Sequence, residues 1–387
     1  MSPFRLSIIF VALLAVLTGT ARADDPDKGT QLDAAVPRIL AKYHTAGAGI
    51  AVLRDGRIAW SGYYGDQAPG IAAGKHTMFN GASLAKTITA ETTLRLASQG
   101  RISLDEPIWP YYVHPALAND PRYKLLTPRI ILSHRSGLLN WSYVYPDGKL
   151  AFVAAPGARF GYSGIAFEIL GRFLEKRLGA SFEDIVHDTV FAPLGLTEIA
   201  VARHDWMNDH LTTPMDSSGH WKPSYRTDAP PDPDHPIRAW SAAADLFTSV
   251  EDYARFFVAV MHDDGLTAEV ASARRQIYSP FAGDDDWACA PSLTPDCPRE
   301  YGFGLGWMIF RYDHNSVVTN GGNDSGENAL VYFTPEKPGN GVVVFMNGGG
   351  INSVRAELEI IDTIDPEQKL TAYYRQLIAH HLATAKK

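Results

Sequence analysis

Between residues 46 and 66 apolar side chains alternate with small or polar ones. Ile50 and Val52 precede Asp55-Gly56, and Ile58 and Trp60 follow it. A period of two places one strand face on a core, and Asp-Gly is a strong turn signal, so the pattern predicts a β-hairpin. The spacing then becomes helical. Leu84, Ile88, Leu94 and Leu96 belong to a helix running from Ser83 to about Ser98, ended by Gln99-Gly100. Residues 165–178 form a second helix, with Phe167, Leu170, Phe173 and Leu174 on one face and Gly179 at its end. Residues 182–191 and 250–261 also read as helices. Residues 205–238, rich in Pro, Asp, His and Ser, read as an extended loop.

After Tyr301 the period of two returns. Phe303, Leu305, Trp307 and Ile309 alternate with small residues. Val317-Val318 and the runs 329–333 and 341–346 are short strand patterns, and residues from Ser353 onward are largely helical. Strands at both chain ends around a helical middle predict an α+β fold. The mostly helical middle, residues 102–300, reads as an insertion between the strand-bearing segments 24–101 and 301–387.

Composition narrows the class. With 387 residues, 45% of them hydrophobic, the chain can bury a large core. The net charge of −8 disfavours nucleic acid and anionic membrane surfaces as partners. Residues 1–23 read as a secretory signal. Arg5 precedes the apolar run 6–17, and Ala21-Arg22-Ala23 fits a small-x-small cleavage site. The mature protein then starts at about Asp24, is secreted or periplasmic, and carries no stable membrane anchor. The two cysteines, Cys289 and Cys297, form an even pair in an exported chain, which points to a disulfide.

Chemistry concentrates at Ser83-Leu84-Ala85-Lys86. A serine hydroxyl is a weak nucleophile and needs a base or a positive field beside it. On a helix, positions i and i+3 share a face, which brings the Lys86 amine to the Ser83 hydroxyl. Burial disfavours the charged form of a lysine, so Ser-x-x-Lys is a compact serine-activating unit. At a helix start, free N–H groups and the helix dipole favour a developing anion. No Gly-x-Ser-x-Gly elbow is present, and His204, Asp205, Asp209 and His210 fit no standard zinc spacing, so no metal or other cofactor is expected.

Further segments follow the Ser83 helix in order. They are Ile131-Leu132-Ser133-His134-Arg135-Ser136-Gly137-Leu138, Gly161-Tyr162-Ser163-Gly164, Phe191-Ala192-Pro193-Leu194-Gly195-Leu196, and Thr319-Asn320-Gly321-Gly322-Asn323. Together they resemble the serine β-lactamase and penicillin-binding-protein superfamily, in its class C β-lactamase, DD-peptidase and family VIII esterase branch. The resemblance runs from about residue 35 to 350. It implies a β-lactamase/transpeptidase-like fold: an antiparallel sheet flanked by helices, with the active site against the inserted helical domain. It also implies Ser83 as nucleophile and Lys86 and Tyr162 as proton-handling groups. Asn320, Gly321, Gly322 and Asn323 become substrate-binding residues on an edge strand, and a main-chain N–H near Asn323 pairs with that of Ser83 as an oxyanion hole. His134 reads as a structural hydrogen-bonding residue.

Two positions depart from the family pattern. Gly164 stands where the family's Tyr-x-Asn carries asparagine, and Asn320 stands where the edge strand often carries a cation. The expected activity is that of an exported serine hydrolase forming an acyl-serine on an ester or amide of a small molecule or peptide, with ester-type substrates favoured. A β-lactamase or D-Ala-D-Ala carboxypeptidase is the first alternative, and a non-catalytic binding relative the second. Nothing in the sequence speaks to the oligomeric state.

Overall fold

A computed structural model of the protein describes residues 26–229, 238–282, 287–289, 296–336 and 339–384. The expected signal segment and most of the loop between the cysteines lie outside the described residues. So does part of the expected 205–238 loop, whose described portion holds one short 3-10 turn, Asp205–Met207.

The helices are α1 (Pro26–Tyr43), α2 (Ala85–Ser98), α3 (Pro128–Leu132), α4 (Gly164–Leu178), α5 (Phe182–Val186), α6 (Val250–Met261), α7 (Ala268–Arg274), α8 (Gly350–Ile364) and α9 (Lys369–Thr384). The strands are β1 (Gly47–Arg54), β2 (Arg57–Ala68), β3 (Ile71–Ala72), β4 (Phe79–Asn80), β5 (Ile199–Ala200), β6 (Phe247–Thr248), β7 (Ser279–Pro280), β8 (Glu300–Phe303), β9 (Met308–Arg311), β10 (Ser316–Asn323), β11 (Asn328–Phe333) and β12 (Gly341–Asn347).

The main sheet is antiparallel, in the order β3-β2-β1-β12-β11-β10-β9-β8-β7. β1 pairs with β12 from Gly47↔Asn347 to Leu53↔Gly341, which joins the two chain ends in one sheet as the family resemblance implies. Helices cover both faces. Ala51, Leu53, Val331 and Phe345 face the core shared with α2, α4 and α6, whereas Ile50, Val52, Leu330 and Val344 face α1, α8 and α9. Double coverage explains why β12 reads as a continuous apolar run.

Three details differ from the sequence reading. The alternating run after Tyr301 is two strands, because Gly304 and Gly306 break it and the Gly304 N–H bonds the Trp307 carbonyl. The sheet is re-entered at Ser279 through β7, not at residue 301. Helix α1 had no counterpart in the sequence reading, since Pro37 lies inside it and interrupts an otherwise amphipathic spacing of Leu32, Val36, Ile39 and Leu40.

Cys289 and Cys297 are joined by a disulfide with Cα atoms 5.7 Å apart.

Candidate active site

Ser83 sits in a 3-10 turn, Ala82–Leu84, that runs directly into α2. The turn is tight: Ala82 has a positive φ of 45° and donates its N–H to the Asn80 side-chain carbonyl at 2.8 Å. A positive φ on alanine is a strained conformation that the surroundings must enforce. Helix α2 is buried on nearly every side. Its threonines tolerate this because their hydroxyls reach carbonyls: Thr92 bonds Ile88, Thr93 bonds Thr89, and Thr89 bonds Ala242. A buried Glu91–Arg274 ion pair, capped by the Trp307 N–H, ties the helix to α7 and the β8–β9 turn.

Lys86 is 1% exposed. Its Nζ donates to Ser83 Oγ at 3.0 Å and to the Ala243 carbonyl at 2.7 Å. The Tyr162 ring centroid lies 5.0 Å from the same nitrogen. Tyr162 stacks on the His134 ring at 4.3 Å and on Trp287 at 5.9 Å. His134 is fully buried, and its Nδ1 accepts the Ser163 N–H at 3.2 Å. Burial, and then the charge of Lys86, hold the imidazole well below its usual pKa, so His134 is a neutral platform under Tyr162.

Strand β10 passes directly over the Ser83 turn. A Cβ at Gly322 would lie 1.9 Å from the Gly81 carbonyl oxygen and 3.1 Å from the Ser83 nitrogen, so only glycine permits this approach. The pairing of β10 with β9 stops at Thr319↔Met308, which leaves the Asn320–Asn323 stretch unpaired by β9. A cavity of about 660 Å³ opens there. Ser83, Tyr162, Asn320, Gly321, Gly322 and Asn323 all line it. The cavity continues between the sheet and α8–α9, past Met308, Leu330, Ile351, Val354, Leu377 and Ile378. The sequence reading missed this apolar arm, because helices distant in the chain build it.

The two departures from the family pattern have local causes. Asn320 spends its amide on the protein: Nδ2 donates to the Gly306 carbonyl and Oδ1 accepts the Gly321 N–H, each at 2.8 Å. At Gly164 a Cβ would lie 2.4 Å from the Trp141 ring. The neighbouring Asn140 accepts the Gly164 N–H on its side-chain carbonyl at 2.8 Å and lines the cavity. Sequence reasoning missed Asn140, for no local signal distinguishes it. Restoring the family's residue by Gly164→Asn is therefore expected to overpack the site and cost about 1–3 kcal/mol of stability. Thermal melts check this, and Trp141→Ala in the same chain should recover part of the loss. A Gly164→Asn protein as stable as wild type would show that the ring yields freely.

Among the described residues, no lysine or arginine lines the cavity. Arg355 of α8 lines a separate groove with Glu359, Asp362 and Arg375. Glu357 lies in the cavity wall with one oxygen accepting from Asn328, and burial raises its pKa well above the usual carboxylate range.

Comparison with known proteins places this geometry. The fold is shared with the octameric penicillin-binding protein homologue from Pyrococcus abyssi, with a TM-score of 0.70 and 19% identity over 88% of this chain and 78% of that one. It is shared equally with EstCE1, a hydrolase with promiscuous acyltransferase activity, with a TM-score of 0.70 and 19% identity over 88% of this chain and 99% of that one. The architecture is thus the α+β, transpeptidase-like one. Penicillin-binding protein 4 of Amycolatopsis lactamdurans is 26% identical over 347 residues, 82% of this chain and 84% of that relative. The Beta-lactamase family model matches residues 32–362, and the chain belongs to that family of serine hydrolases.

Proposed function

We propose that this protein is an exported hydrolase of esters with apolar chains, working through an acyl-Ser83 intermediate. The observation that carries the reading is the Ser83 Oγ–Lys86 Nζ hydrogen bond of 3.0 Å in the lining of a cavity that has an apolar arm. Ser83 Oγ attacks the ester carbonyl while its proton passes to the Lys86–Tyr162 pair. The carbonyl oxygen becomes an oxyanion against the N–H groups of Ser83 and Asn323. The tetrahedral species collapses, the C–O bond to the alcohol breaks, and the leaving alkoxide takes the proton back. Water, deprotonated by the same pair, then attacks the acyl carbonyl and releases the acid and Ser83. The resident chemistry requires no metal or cofactor. Asn140 supplies an amide at the edge of the acyl site, in place of the side chain that Gly164 lacks. Export rests on the signal pattern of residues 1–23 and agrees with the disulfide.

The choice of ester over β-lactam or D-Ala-D-Ala peptide rests on charge. Both alternatives carry a carboxylate beside the scissile bond. A charge-assisted hydrogen bond to it is worth about 1.5–3 kcal/mol, roughly ten- to a hundredfold in selectivity. The Asn320 amide is committed to backbone, and the described cavity lining holds no lysine or arginine; its histidine, His381, stands on α9 with Leu377 and Ile378 and not on β10. The penicillin-binding relative supports the alternative substrates with the same Ser83 chemistry. We expect kcat/KM for a p-nitrophenyl alkanoate to exceed that for a chromogenic cephalosporin and for a D-Ala-D-Ala peptide by tenfold or more. A tenfold advantage for either carboxylate substrate removes the ester preference and leaves the acyl-serine mechanism standing.

A further inference from the structure

The oxyanion hole assigned above joins two chain segments about 240 residues apart, the Ser83 turn and the end of β10. A chain of buried and half-buried polar groups spans the gap beside it. Asn80 ends β4 and leads into the Ser83 turn. Its side-chain carbonyl holds the Ala82 N–H at 2.8 Å, which fixes the strained residue next to Ser83. Its own backbone N–H donates to Glu327 Oε2 at 2.5 Å, and its side-chain amide donates to Asp324 Oδ2 at 3.2 Å. Asp324 and Glu327 form the turn between β10 and β11. There Asp324 Oδ1 accepts the N–H groups of Gly326 and Glu327, and the Asp324 N–H bonds the Glu327 carbonyl at 3.0 Å. Asp324 directly follows Asn323, so this turn sets where the Asn323 N–H lies.

We propose that Glu327 is a positioning residue of the oxyanion hole, holding the Ser83 and Asn323 N–H groups at working separation through Asn80 and Asp324. The inference rests on the acyl-serine reading. Glu327 is fully buried in the described structure, and its other oxygen pairs with the Thr212 hydroxyl, which also meets the Met78 carbonyl. One threonine proton cannot serve both acceptors. A protonated Glu327 that donates to Thr212, while Thr212 donates to Met78, satisfies every group. Desolvation, and then the Asp324 charge, favour that protonated form. An amide can reproduce the same pattern, one donor and one acceptor, and a thioether cannot.

The test compares Glu327→Met, close in volume, with Glu327→Gln, using a p-nitrophenyl ester and its thionoester. Sulfur is a weak acceptor, so a thionoester draws little on an oxyanion hole. Removing one oxyanion donor outright costs about 10²–10³ in kcat. Glu327→Met is expected to lower kcat on the ester roughly ten- to a hundredfold, with KM within about threefold. The oxygen-to-sulfur rate ratio should narrow by about the same factor, and Glu327→Gln should restore most of both. Equal losses on ester and thionoester, or an unchanged ester kcat in Glu327→Met, would overturn the proposal. Should Glu327→Met fail to fold, Asn80→Asp decides in its place, since it keeps the acceptor for the Ala82 N–H and loses the donor to Asp324: an unchanged oxygen-to-sulfur ratio in that variant also overturns the proposal. Labelling of wild-type Ser83 by a fluorophosphonate separates the two readings. A labelled serine with an unaltered ratio in Glu327→Met removes the inference alone, whereas an unlabelled serine removes the acyl-serine reading and this inference with it.

Discussion

Ser83→Ala is expected to abolish covalent capture by a fluorophosphonate and to reduce ester turnover to the level of the uncatalysed assay. In wild type, intact mass should rise by one adduct. The physical basis is that acylation needs an oxygen at one place: against Lys86 Nζ, beneath β10, and in the cavity lining. Among the described residues, the aliphatic hydroxyls nearest in sequence to the site's elements, Ser163 and Thr87, are committed elsewhere. Ser163 points its Oγ at the Leu139 carbonyl as a helix cap, and Thr87 bonds the Leu84 carbonyl and Tyr253. An adduct that persists in Ser83→Ala would place the nucleophile elsewhere. A wild-type protein that takes no adduct and turns over no ester would favour the non-catalytic alternative.

Lys86→Ala and Tyr162→Phe come next in size, each expected to lower kcat roughly 10²–10⁴-fold, the usual worth of a positioned acid–base group. The Lys86 amine is held from two sides, by Ser83 Oγ and the Ala243 carbonyl, so its geometry is set before substrate arrives. Tyr162→Phe preserves the stack on His134 and removes only the hydroxyl. Its effect therefore reports chemistry and not packing. Near-wild-type kcat in Tyr162→Phe would take the proton-handling role from Tyr162. The double variant should lose much less than the product of the two single losses, because both residues act on one proton.

The helical run from the Ser83 turn into α2 was legible in the sequence, although Ser83 itself lies in a 3-10 turn ahead of α2, because the relevant contact is local. Three residues of helix bring Lys86 to Ser83 whatever surrounds them. The hairpin over Asp55-Gly56 and the stop of α4 at Gly179, with φ of 73°, were legible for the same reason. The whole sheet was harder. That the two chain ends share one sheet came from the family resemblance and not from the strand pattern, and the alternation after Tyr301 hid a turn, because glycines break a strand without disturbing its apolar period.

The rest of the candidate site was decided only in three dimensions. Asn140 reaches Gly164 from 24 residues away, and Trp141 occupies the space a side chain at 164 would need. Asn320 looked like a neutral anchor for substrate, but the Gly306 carbonyl takes its amide. Asn80 meets Glu327 across 247 residues, and the apolar arm of the cavity needs α8 and α9 folded against the sheet. By itself the sequence determined the α+β order of elements and the serine–lysine pair, since backbone periodicity and the i, i+3 helical offset act over a few residues. Tertiary structure alone decided what the cavity offers a substrate and how the two halves of the oxyanion hole are held. Those depend on which buried polar groups find partners once distant segments exclude water.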